Sequence, residues 1–390
     1  MICIQFLNLV PYNIARVNGL IKKGYQCKCL LDYESDLFKP LSSVKHNLNV
    51  DIINNKKIFI KTIKIINYFF KNDFDCVFIS GYQEVSSLAS IIGAYLTNTK
   101  IILFSESQET DKKNRNFFIE IYKKIIINIF NGAIVGGNCH KDYLIKLGMK
   151  KDSIFKGYDC VDNDYFIAKS QSKNSKLKDD IYLCCICRFV EKKNLFVLIK
   201  SFNLFKKQFL KYKKTKLKIG GTGPLLESLR FYIKQNNISD VELVGPINYE
   251  NLPRFYSKSN GLILLSTTEQ WGLVTNEALN CGIPVLISQE CGSKEVIKEN
   301  INGYIVNPKS IEKIALKINQ LIELSLNKET EFNCRESIKE ISPLNFGNSC
   351  AKAINKRSKK NHLAIAGFLS IVILLAIKNL KFTGTQKFEA

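Results

Sequence analysis

The sequence predicts an α/β protein made of two Rossmann-like, doubly wound domains that face each other across a cleft. Three observations carry this expectation. The chain has 390 residues, more than one hydrophobic core usually organises, and about 150 residues per domain gives two or three units. Short apolar runs alternate with longer periodic stretches, once in the first half and again in the second. That is the pattern of parallel strands joined by covering helices. Between the halves, 168–180 is polar, apolar-poor and without period, as an exposed connection between domains would be.

Taken in order, the first half offers strands near Ile2–Val10, Gln26–Leu31, Cys76–Ile79, Ile101–Phe104 and Ala133–Val135. Helical patterns lie at Ile14–Lys23, Val85–Leu96, Phe117–Phe130 and His140–Leu147, the last stopped by Gly148. The alternation restarts with strands at Ile181–Cys187, Leu217–Ile219, Val241–Val244, Leu262–Leu265 and Val285–Ser288. Leu195–Phe209 and Leu225–Gln235 read as helices between them. Residues 1–170 and 171–342 are thus the two expected domains. Ligands of such sheets sit beyond the carboxyl ends of the strands, so an interdomain cleft is the expected site.

Composition narrows the partners. With 57 Lys+Arg against 35 Asp+Glu the net charge is +22, which favours anions such as nucleotide phosphates and acidic headgroups. Much of the lysine also fits simple solvation of helix faces. No helix-turn-helix or zinc pattern supports nucleic-acid readout. The 13 cysteines are odd in number and irregular in spacing, unlike a disulfide framework, so a reducing compartment is expected. Cys184, Cys185 and Cys187 lie in an apolar strand without a partner set for zinc. Met1–Leu7 lacks a positive region ahead of its apolar residues and reads as a first core strand, so export is not expected.

The most informative stretch is Ser266-Thr-Thr-Glu269-Gln-Trp-Gly272-Leu-Val-Thr-Asn-Glu277-Ala-Leu-Asn-Cys-Gly282-Ile-Pro284-Val. A strand ends in a loop holding Glu269, a glycine allows close backbone approach, and a helix begins near Leu273 whose first amides can bind phosphate. Glu277 falls about one turn inside that helix, where a carboxylate can accept hydrogen bonds from a ribose diol, while Glu269 can meet sugar hydroxyls.

This string resembles the E-x7-E signature of the large retaining GT-B family called glycosyltransferase group 1, or family four. Three further segments resemble the family in order. Cys187-Arg188-Phe-Val-Glu-Lys-Lys193-Asn194 is similar to its Gly-Arg-Leu…Lys-Asn/Gly loop, with cysteine in place of the first glycine. Ile219-Gly220-Gly221-Thr-Gly223-Pro224 is similar to its Gly-x-Gly-Pro turn, and Val244-Gly245 precedes Leu252-Pro253, where the nucleobase commonly rests. Gly292-Ser-Lys-Glu295 and Asn302-Gly303-Tyr continue the pattern, so the resemblance spans Tyr182–Pro308.

By that resemblance Arg188 and Lys193 grip the donor diphosphate, with Lys192 an alternative to Lys193. Gly272 and Leu273 offer amides to phosphate and sugar, Gly221 and Gly223 line the donor site, Glu277 holds the ribose and Glu269 the donor hexose. Cations and a helix end then replace a divalent ion, so neither metal nor cofactor is implied. The leaving diphosphate itself would help deprotonate the acceptor, a front-face reaction with retention. The first domain departs from the family. Leu9-Val10-Pro11-Tyr12 stands where a glycine-rich loop is common, and Phe104-Ser105-Glu106 where many members have a histidine. Ser105, Glu106 and His140 remain as candidate acceptor-side cleft residues, His140 being as well suited to capping a helix start.

The expected activity is transfer of a hexose from a nucleotide sugar to a saccharide or lipid-linked acceptor in cell-surface glycan or polysaccharide assembly. The alternative is a non-catalytic, membrane-associated partner subunit. The family's crossover helix fits 343–360. Beyond it, 361–390 contains the apolar run Leu363–Ile377 after the basic cluster Lys356–Lys360. This tail is expected to be a membrane anchor at an anionic cytoplasmic surface.

Overall fold

The computed structural model describes residues 1–33, 48–111, 117–170, 181–357 and 364–368. Two parallel sheets organise it. The first has seven strands, β1 (Ile2–Phe6), β2 (Cys27–Leu31), β3 (Asn49–Ile52), β4 (Cys76–Ser80), β5 (Lys100–Ser105), β6 (Gly132–Val135) and β7 (Ile154–Lys156), in the order β3-β2-β1-β4-β5-β6-β7. The second has six, β8 (Tyr182–Ile186), β9 (Lys216–Gly220), β10 (Val241–Gly245), β11 (Gly261–Leu264), β12 (Val285–Ser288) and β13 (Gly303–Val306), in the order β10-β9-β8-β11-β12-β13. All pairings are parallel, with registers such as Ile4↔Cys29 and Leu262↔Val285. Central strands are fully buried, as β1 is along its length, which explains their unbroken apolar runs.

In the first domain α1 (Pro11–Ile21), α2 (Ile58–Lys71), α3 (Val85–Leu96), α4 (Phe117–Ile127), α5 (Asn138–Lys146) and α6 (Asn163–Ser170) connect or follow the strands. The second carries α7 (Leu195–Gln208), α8 (Leu226–Gln235), α9 (Leu252–Ser257), α10 (Leu273–Asn280), α11 (Ile311–Leu326) and α12 (Thr330–Ile338). The expected two-sheet α/β architecture is therefore present. The first strand stops at Phe6, and α1 starts at Pro11 rather than Ile14, because proline with its fixed φ suits a first helical position. Most of the polar connection, 171–180, lies outside the described residues.

After α12 the chain returns to the first domain as α13 (Pro343–Asn355), capped by Ser342 Oγ accepting from Asn345 N. It crosses α1 closely. A Cβ on Gly19 would lie 1.9 Å from Pro343 O, and one on Gly347 2.3 Å from Gly19 O. Phe346 and Cys350 are buried in the core beneath β1 and β5.

The expected membrane anchor, 361–390, lies mostly outside the described residues. Of 361–390 only 364–368 are described. They are helical, with Ile365 and Phe368 buried among Ile126, Ile127 and Leu144 in the first domain's core. The rest of the apolar run, 369–377, lies outside the described residues. No described helix is long and apolar enough to cross a membrane. All 13 cysteines are free thiols, most of them buried.

Candidate active site

β11 delivers the chain to a loop anchored by Trp271, whose Nε1–H donates to Asn276 Oδ1 at 2.8 Å. The loop closes at Gly272, which caps α10 with φ +94°, a left-handed conformation costly for residues with a Cβ. The first amides of α10, from Leu273 on, are those a helix leaves unbonded, and the helix dipole adds positive potential there. Glu269 stands just before this turn. Its Oε2 accepts from Ser266 Oγ at 2.8 Å and is ion-paired with Lys193 Nζ.

Lys193 ends a short turn, Glu191–Lys193, followed by Asn194 at φ +59°, whose amide donates to Pro308 O at 2.8 Å. Thr267 N donates to Lys192 O at 2.8 Å, which stitches the lysine loop to the Glu269 loop. Lys193 faces the site, 14% exposed in its pair with Glu269, whereas Lys192 is exposed. Arg188, on the loop after β8, is exposed and makes no ion pair among the described residues, leaving its guanidinium available to an anion.

The glycine turn after β9 supports that loop. Gly221 has φ +135° and its Cβ would lie 1.9 Å from Cys187 O; Gly223 has φ +156° and its Cβ would lie 2.6 Å from Phe189 O. Phe189 N donates to Thr222 O at 2.8 Å. These glycines, expected as donor contacts, pack against the Cys187 and Phe189 backbone on either side of Arg188, which leaves no room for a side chain.

Glu277, 9% exposed, accepts from the fully buried Tyr256 hydroxyl at 2.7 Å on Oε2. Burial pushes its carboxyl up to about 7, against the lowering effect of the Tyr256 bond. Tyr256 is absent from the sequence reading, its only signal there being a tyrosine within the short apolar segment after Leu252-Pro253.

On the first domain, Ser105 is buried at the end of β5 and Glu106 is half-buried beside it. Glu106 lines a cavity of about 250 Å³ that reaches Gln270, next to Glu269. His140 is fully buried. Its Nδ1 accepts from Gly137 N at 2.9 Å, so Nε2 carries the hydrogen and donates to Gln270 O at 2.9 Å. Burial lowers its pKa, against the Gln270 bond. With both nitrogens engaged, this neutral ring joins the domains and leaves no nitrogen for an acceptor.

Other bonds cross the cleft. Gln108 Nε2 donates to Glu269 O at 3.1 Å, Asn276 Nδ2 to Asp159 O at 2.8 Å, and Asn138 N, at the start of α5, to Glu295 Oε2 at 2.8 Å. The two domains are thus held directly around the Glu269–Gly272 loop. Among the described residues no three His, Cys, Asp or Glu side chains gather as a metal set.

Comparison with known proteins agrees with this layout. Residues 166–340 match the family model for glycosyl transferases group 1. An uncharacterized glycosyltransferase of Methanocaldococcus jannaschii is 27% identical over 139 residues, 36% of this chain and 39% of that protein. The amylovoran biosynthesis glycosyltransferase of Erwinia amylovora is 26% identical over 193 residues, 44% of this chain and 47% of that protein. The chain spans less than half the length of these curated relatives. Among solved structures, HepE of Anabaena in complex with UDP and glucose superimposes with TM-score 0.70 at 14% identity, over 91% of this chain and 99% of that one. A glycosyltransferase from Rickettsia africae gives TM-score 0.71 at 18% identity, over 92% and 99%. The fold is that of these two-domain, GT-B-type neighbours, and the second domain, over 166–340, is similar to the group 1 glycosyl transferases.

Proposed function

We propose that the protein is a retaining glycosyltransferase that moves a hexose from a nucleotide diphosphate sugar to a saccharide or lipid-linked acceptor. One observation carries the reading. A single stretch after β11 sets Glu269 against Lys193, frees the first amides of α10 and buries Glu277 one turn further on. That supplies a partner for each part of a nucleotide sugar: cations and amides for diphosphate, one carboxylate for ribose, one for the hexose. The complexes of HepE with UDP and with UDP-glucose support the donor class.

In the proposed reaction Arg188, Lys193 and the α10 amides stabilise charge as the anomeric carbon's bond to the diphosphate oxygen breaks. The acceptor oxygen attacks from the same face and its proton passes to the departing phosphate, which gives retention. The protein's contribution is positioning and electrostatics. Incubation with UDP-, GDP- and ADP-sugars tests this. One nucleotide series is to be bound and slowly hydrolysed with the α-anomer released first; binding of none refutes the reading.

A role in cell-surface glycan assembly is supported by the relative named for amylovoran biosynthesis. A site at the cytoplasmic face of an anionic membrane is supported by the cluster Lys356–Lys360 and the net charge. Flotation with anionic and neutral vesicles tests that placement, and equal recovery with both counts against it.

A further inference from the structure

The backbone between Glu269 and Gly272 is held from the other domain. Its carbonyls are engaged one after another. Glu269 O accepts from Gly292 N and from Gln108 Nε2, both at 3.1 Å, Gln270 O from His140 Nε2 at 2.9 Å, and Trp271 O from Ser293 N at 3.1 Å. Gln108 and His140 belong to the first domain, so part of the support for this donor-side loop crosses the cleft. The Trp271 indole is secured in the same direction, through Asn276, whose Nδ2 donates to Asp159 O.

Neither cross-domain donor is a surface contact, since His140 is fully buried and Gln108 is 6% exposed. The His140 ring is oriented from behind. Gly137 N donates to Nδ1 at 2.9 Å, which fixes the hydrogen on Nε2, and the ring leans on Trp271 with 6.2 Å between centroids. Room for it depends on Gly136, where a Cβ would lie 2.9 Å from His140 Nδ1 and 1.9 Å from Asp159 Oδ2. Capping the start of α5 needs Nδ1 alone. Nε2 serves the loop of the second domain.

We propose that His140 and Gln108 are positioning residues that hold the Glu269–Trp271 backbone from the first domain and so set the Glu269 carboxylate against the donor sugar. The proposal rests on the glycosyltransferase reading and adds to it two residues outside the second domain. Both act on the backbone, not on the donor. Without either bond the loop can shift, and a displacement of about 1 Å near a reacting centre costs up to about 100-fold in rate. Arg188, Lys193 and the α10 amides remain for the diphosphate, so the loss falls on the sugar and not on nucleoside diphosphate binding.

Two substitutions at one position separate positioning from helix capping. Asparagine can accept from Gly137 N as Nδ1 does but is too short to reach Gln270 O, whereas glutamine can donate to Gln270 O as Nε2 does. Calorimetry of the nucleoside diphosphate and of the matching nucleotide sugar gives the ratio of the two affinities, and turnover is measured alongside. His140→Asn is expected to bind the nucleoside diphosphate within about twofold of the parent, to bind the nucleotide sugar more weakly by about tenfold and to turn over about 10–100-fold more slowly. His140→Gln should stay within about threefold of the parent in all three. Gln108→Ala should repeat the pattern of His140→Asn, and it carries the test if His140→Asn does not fold. Parental ratio and turnover in the Asn and Ala variants overturn the proposal, as does His140→Gln being as impaired as His140→Asn. A fall in nucleoside diphosphate affinity equal to that in nucleotide-sugar affinity also overturns it. If the parent binds no nucleotide, the glycosyltransferase reading fails instead. Hydrogen exchange at the 269–272 amides then decides whether His140 holds the loop: faster exchange in His140→Asn than in His140→Gln supports the brace, and equal rates refute it.

Discussion

Gly221→Ala isolates the role of the glycine turn. The residue sits at φ +135°, and the added methyl would lie 1.9 Å from Cys187 O. The carbonyl must retreat by at least about 1 Å to reach even the tightest tolerated contact. A side chain in this conformation costs about 1–3 kcal/mol, and displacing packed backbone adds a comparable amount. A total near 3 kcal/mol lowers Tm by roughly 6–12 °C for a domain of this size. Cys187 precedes Arg188, so the same shift misplaces the guanidinium by about 1 Å, enough to cost about 100-fold in turnover. Gly220→Ala is the control. Its φ is not left-handed, and its methyl meets the flexible end of Ile247, Cδ1 at 2.6 Å, so a loss within about 1 kcal/mol is expected. Differential scanning fluorimetry and nucleotide-sugar hydrolysis read both effects. Gly221→Ala with native Tm and native turnover would refute the reasoning.

Three further outcomes are expected. Glu277, raised to about 7 in the folded chain, binds its proton more tightly folded than unfolded, so its contribution destabilises above pH 7 and is relieved as pH falls toward about 4.5. Glu277→Gln should therefore raise Tm relative to the parent at pH 8, by up to about 3 kcal/mol of stability, and lose that advantage at pH 5. Nucleotide binding should tighten as pH rises through 7, because ribose needs the ionised acceptor; a pH-independent affinity contradicts this. Chelation with EDTA should leave transfer unchanged if Arg188, Lys193 and the α10 amides neutralise the diphosphate, and activity lost to EDTA and restored by magnesium or manganese says otherwise. Truncation after Arg357 removes the buried Ile365 and Phe368, with an expected loss of about 3–5 kcal/mol from uncovered apolar surface, seen as an earlier denaturant midpoint; an unchanged midpoint would show that the tail packing is not needed.

The strands and helices that could be read from the sequence are those with a strong local signal. Cys76–Ile79 and Val285–Ser288 are unbroken apolar runs and became central strands. Asn49–Ile52 is a four-residue edge strand, too short for its alternation to stand out, and α2, although amphipathic, is the next element after it and carries no capping residue to mark its start. The loop and helix of 266–280 were legible because strand, glycine and helix start follow one another directly. Tyr256 under Glu277, the Gln108 and Glu295 bonds across the cleft and the overlap of Gly221 with Cys187 were not. Each joins residues far apart in sequence, and no local pattern encodes such a meeting. His140 lay between two readings until both ring nitrogens were seen engaged.

The central claim is that one constellation on the second domain binds and activates a nucleotide sugar. Sugar transfer by Arg188→Ala and Glu277→Ala, each first shown to be folded by circular dichroism, tests it most directly. The account predicts that each loses at least about 100-fold in rate, as when a preorganised contact to the reacting donor is removed. Near-parental rates in both folded variants would contradict it.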